Sequence, residues 1–196
     1  MKCGGAGTAF LALLAFSASA CSPAEPEKAQ TLLQKPAPKL ALAGRVTDAA
    51  GILDADLEAR LTARLAALER RNRIQFVVVT VPDLGGADIA DFTRDLGNAW
   101  GIGRKGFDDG VILLVAPHDR RVRIATGHGL ETSLTDADAR DIIETKMLPT
   151  YRRGELAEVT EAGASALIDR LHRLTDFDRC RAEGCTHTSG FLHAPD

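Results

Sequence analysis

The stretch "FDDGVILLVAPHDRRVRIATGHGLETSLTD", Phe107 to Asp136, sets two apolar runs between acidic and glycine-bearing ends. "GVILLVA" has the length and β-branched content of a buried strand, and "RVRIAT" alternates as a half-covered strand does. Only "PHDR" separates them, and a connection that short joins antiparallel neighbours. The start of the first strand (Asp108, Asp109, Gly110) therefore lies beside the end of the second (Gly127, His128, Gly129, Leu130, Glu131). Thr135 and Asp136, which open the next helix, fall near the same edge, with the helix amides directed towards it.

Working outward, "IQFVVVTV" (Ile74 to Val81) is a β-branched run stopped by Pro82, the pattern of a central strand covered on both sides. A helix over roughly Asp88 to Trp100, with Ile89, Phe92, Leu96 and Trp100 in one stripe, links it to the hairpin and predicts a parallel, right-handed crossover. Gly101 and Gly103 end that helix. Upstream, "DADLEARLTARLAALERR" carries Leu57, Leu61, Leu65 and Leu68 on one face, capped by Asp54. Downstream, "TDADARDIIETKML" opens with Thr135 and Asp138 in capping-box spacing, and "GELAEVTEAGASALIDRLHRL" carries Leu156, Val159, Leu167 and Leu171. These elements predict an α/β fold over residues 44–174, a three-layer α/β/α sandwich around a small mixed sheet.

The chain of 196 residues is long enough for one domain with tails, and its formal charge of -3 offers no basic excess for a nucleic acid backbone. Residues 1–20, "MKCGGAGTAFLALLAFSASA", read as a secretory signal peptide. Ala18-Ser19-Ala20-Cys21 is similar to a lipobox, which predicts a lipidated Cys21, attachment to a membrane through that lipid, and sorting to the periplasmic face of the outer membrane. Ordinary cleavage after Ala20 would instead release a soluble periplasmic protein. Residues 21–43, rich in proline, alanine and charge, read as an extended tether. In the tail, residues 175–196, Cys180 and Cys185 are expected to form a disulfide in an oxidising compartment. A zinc site completed by His187 and His193 is the alternative.

The acidic edge is where chemistry is expected. Crowded carboxylates repel unless water or a cation separates them, and calcium or magnesium takes hard oxygen ligands. The competing view makes these aspartates turn and cap residues on a solvated rim. The chain has no EF-hand pattern, G-x-S-x-G elbow, H-E-x-x-H or P-loop. His128 is a candidate proton carrier, and Arg121 and Arg123 are candidate phosphate holders or simply the polar face of a strand.

"VTDAAGIL" (Val46 to Leu53), "WGIG" (Trp100 to Gly103), "DDGVILLVA", "RRVRIATGHGLE", "LTDADA" and "LPTYRRG" together resemble the TPM domain, in order and at the expected separations. Tyr151 stands where that family commonly has phenylalanine. Members include a thylakoid-lumen acid phosphatase, a photosystem II repair factor, a membrane receptor accessory protein and many bacterial exported proteins. The resemblance implies a divalent cation, Ca2+ or Mg2+, in an acidic cleft, with weak phosphatase activity in some members. Its motifs carry over Asp48, Asp108, Asp109, Glu131 and Asp136 as the metal-binding positions. The expected function is that of a cell-envelope lipoprotein binding such a cation, with at most weak phosphatase activity. The alternative is a non-catalytic module assisting a membrane protein complex.

Overall fold

The computed structural model describes residues 40–183, and side-chain surroundings for residues 40–174. The expected signal peptide, Cys21, residues 22–39, Cys185, His187 and His193 lie outside the described residues, and so does the expected Cys180–Cys185 pairing.

Strand β1, Val46–Asp48, precedes helix α1, Ala55–Asn72. Asp54 caps α1 by accepting from the Leu57 amide at 2.7 Å, and Leu57, Leu61, Leu65 and Leu68 are buried as their spacing requires. Strand β2, Gln75–Thr80, leads through helix α2, Ile89–Trp100, to strand β3, Gly110–Ala116, and β4, Arg121–Thr126, follows directly. The four-stranded sheet has the order β1-β2-β3-β4, with β1 and β2 parallel, β2 and β3 parallel, and β3 and β4 antiparallel. The sheet is mixed, as the hairpin and the crossover helix predict. Strand β1 was not legible from periodicity, because Val46–Asp48 is too short to display an alternation.

Alternation on the two inner strands divides the core. Phe76, Val78, Val111, Leu113 and Val115 face α1 and the C-terminal helices, whereas Val77, Val79, Ile112 and Leu114 face α2. Both faces are covered, so β2 and β3 carry continuous apolar runs. Trp100 is half-buried against the α2 layer and its Nε1–H donates to the Leu40 carbonyl at 3.0 Å. The Ala43 amide donates to Thr47 Oγ1 at 3.2 Å, so the last residues assigned to the tether are fastened to the domain.

After β4, the chain forms a 3-10 turn over His128–Leu130 and helix α3 over Asp136–Ile142. Thr135 and Asp138 form the expected capping box. The single long helix that the sequence suggests there is interrupted by a π turn, Ile143–Met147, before α4, Leu148–Arg152. Gly163 of the last helix explains the close fit at that turn, since a Cβ there would sit 2.7 Å from Met147. Tyr151 uses its extra hydroxyl, donating to the Pro117 carbonyl at 2.9 Å. Helix α5, Leu156–Glu183, continues past Leu174, so its backbone takes in Cys180 where a tail was expected.

Candidate functional site

A cleft of about 700 Å³ opens between α2, β4 and the loops at the Gly110 end of the sheet. Its formation begins with two glycines. A Cβ on Gly127 would lie 2.1 Å from the Asp108 carbonyl oxygen, and one on Gly129 would lie 1.8 Å from that of Phe107. Only glycine lets these backbones meet, and the Gly129 amide donates to the Asp108 carbonyl at 3.1 Å. The clamp holds Asp108, whose φ is 48, beside the turn bearing His128 and Glu131. Asp136, at the start of α3, lines the same cleft.

Asp108, Glu131 and Asp136 thus line one cleft, though they lie apart in the sequence. Neither Asp108 nor Asp136 is ion-paired among the described residues. Glu131 Oε1 lies 2.8 Å from His128 Nδ1, and His128 is 88% exposed, so this pair sits in water and is weak.

The other two carboxylates of the sequence-derived set stand elsewhere. Asp109 is buried at 5% exposure, where it accepts from the Arg104 amide at 2.8 Å and is gripped by the Arg104 guanidinium. Its charge is already matched, as a buried carboxylate requires. Asp48 lies opposite Thr80, and Thr80 opposite Val115, so it belongs to the far end of the sheet from Gly110. That separation is about 16 Å at the usual rise of a strand. There its carboxylate accepts from the Ile52 and Leu53 amides at 3.2 and 2.9 Å and from the Thr80 hydroxyl. Asp48 therefore closes the turn after β1 and does not reach the cleft.

Oxygen ligands of the kind that Asp108, Glu131 and Asp136 supply suit Ca2+ or Mg2+. Among the described residues, no three His, Cys, Asp or Glu side chains already stand grouped as a ligand set. The trio shares a cleft without forming such a set, and Asp48 and Asp109 lie outside that cleft's lining.

The opposite wall was harder to foresee. Thr93, Arg94, Gly97 and Asn98 bring α2 into the cleft, and Arg123 and Ala125 line it from β4. Gly97 was the available signal, a glycine inside a helix, and a Cβ there would meet Ile112 Cδ1 at 2.8 Å. Asp88, at the N-cap of α2, accepts from the Asp91 and Ala90 amides. These amides, with smaller contributions from Arg121 and Arg123, hold its carboxyl below its ordinary range.

Taken together, these features define a class: a three-layer α/β/α domain whose acidic cleft is built by a hairpin and its crossover helix. The chain belongs to the TPM domain family, whose model matches residues 46–170. The N-terminal domain of a P. gingivalis protein is similar, at 37% identity and a TM-score of 0.65, covering 72% of this chain and 90% of that one. The N-terminal domain of the cg2496 protein from Corynebacterium glutamicum shares the fold at 20% identity and a TM-score of 0.52, over 73% of this chain and 86% of that one. The BA42 protein from Bizionia argentinensis does so at 17% identity and a TM-score of 0.52, over 63% and 83%. No curated protein matches the chain at a significant level.

Proposed function

We propose that this protein is a cell-envelope TPM domain that binds a divalent cation through Asp108, Glu131 and Asp136. One observation carries the reading: these carboxylates open onto a single cleft, and none is neutralised by arginine or lysine among the described residues. Carboxylates that share a cleft suit a divalent cation, which takes several hard oxygen ligands. A bound divalent ion supplies Lewis acidity towards a phosphoryl oxygen and a more acidic water. The chain's own contribution is to position the carboxylates, with His128 beside Glu131 as the group able to move a proton. Any weak phosphatase activity, as the family resemblance implies, would depend on the same residues.

The N-terminal segment, through Cys21, supports attachment of the domain to the periplasmic face of the outer membrane by lipid. No described helix is long and apolar enough to cross a membrane.

Calorimetric titration of metal-free protein with calcium and with magnesium tests the site. Binding that Glu131→Gln and Asp108→Asn weaken at least about tenfold, the worth of one good charged contact, is the expected result. Unchanged binding in both variants would refute it. A phosphomonoester assay on the same proteins then decides between an enzyme and a cation-stabilised interaction module.

A further inference from the structure

We infer that Arg123 makes the same cleft an oxyanion site, so that the natural ligand carries a carboxylate or phosphate group. Arg123 lies on β4 opposite Leu114, on the α2 side of the sheet, and is one of the residues lining the cleft. Its Nε–H is buried and has no hydrogen-bond acceptor among the described residues. Among the described residues it makes no ion pair. Asp88, whose carboxylate feels the charge of Arg123, is committed to the first amides of α2. The other arginine of this wall differs, because Arg94 is paired with Asp91 at 2.8 Å and with Asp95 at 3.4 Å.

An arginine donor left without an acceptor in a buried place is costly unless a ligand supplies one. Guanidinium presents paired N–H groups in a plane, which matches two oxygens of a carboxylate or phosphate. The surroundings leave room for such a group: Ala90, Gly97 and Ala125 are small, and the cleft volume lies within the range of small-molecule sites. The acidic trio lies towards Gly127, beyond Ala125 on the same strand, so the cleft presents a cationic wall and an anionic rim.

The test uses the full chain in metal-free buffer, so that it does not depend on the cation reading. Inorganic phosphate and acetate are titrated while the Arg123 Nε–H resonance is followed. Both are expected to move that resonance saturably, and the tighter of the two identifies phosphate or carboxylate as the group. Read by calorimetric titration of the same anions, Arg123→Lys, which keeps the charge but loses the fork, is expected to weaken binding about tenfold, and Arg123→Gln to abolish it. Arg121→Gln, on the exposed end of β4, is expected to leave it unchanged. An unmoved resonance, or equal affinity in Arg123→Gln protein with an unaltered melting temperature, overturns the proposal. Because no cation is present, either result leaves the carboxylate trio to be judged by its own titration.

Discussion

The two ends of the sheet both carry aspartates, and they use them in opposite ways. At the end formed by Asp48 and Thr80, the carboxylate takes two backbone amides and a hydroxyl, and closes a turn. At the Gly110 end, Asp109 is likewise engaged by Arg104, whereas Asp108 and Asp136 line the cleft without an ion-pair partner among the described residues. A carboxylate's role is therefore decided by who donates to it. Residue type and family motif place all five acids together, but hydrogen bonding separates the structural ones from those available to a ligand.

Substitution sharpens this division, beginning with the largest effect. Asp48→Ala removes an acceptor shared by three donors and is expected to cost roughly 3 kcal/mol in denaturant unfolding. Asp109→Ala leaves Arg104 unpaired at a part-buried site, with an expected loss of roughly 2 kcal/mol. By contrast, Asp108→Asn, Glu131→Gln and Asp136→Asn should each stay within about 0.5 kcal/mol of the parent in metal-free buffer. A loss of 2 kcal/mol or so in one of these three would make it a structural residue of the Asp48 kind.

The smallest expected effect is in acid. Burial opposes ionisation of Asp138, but the Thr135 hydroxyl and amide, with Arg170, outweigh it and hold its pKa below the ordinary 3.8. A lowered folded pKa contributes stability that is complete above 3.8 and is lost as pH falls through the folded value. Asp138→Asn should flatten that part of the pH–stability curve. An unchanged acid limb would remove Asp138 from the account.

Much of this arrangement was legible in the sequence, for physical reasons. The "PHDR" turn forced the hairpin, and the hairpin alone brought Asp108 beside Glu131 and Asp136. Asp54 and the Thr135–Asp138 box were readable because caps depend on neighbours three residues away. Asp48 was misplaced among the acids because its position depends on the pairing of β1, a strand too short to announce itself. The contribution of α2 to the cleft was hidden for another reason. Its apolar stripe predicts which face is buried, but not that Thr93 and Gly97 would border an opening at the sheet edge. The fate of Asp109 turned on a guanidinium that spacing alone could not assign to it.

The central claim is that the acidic trio binds a cation, and a melting experiment on the full chain tests it most directly. With calcium or magnesium at about 100 times its dissociation constant, a cation that binds only the folded state adds roughly 2.7 kcal/mol. The parent protein should therefore melt several degrees higher with the ion than with chelator, and the Asp108→Asn/Glu131→Gln/Asp136→Asn triple variant should show no rise. Equal melting temperatures for the parent with and without either ion, or the same rise in the triple variant, would contradict the claim.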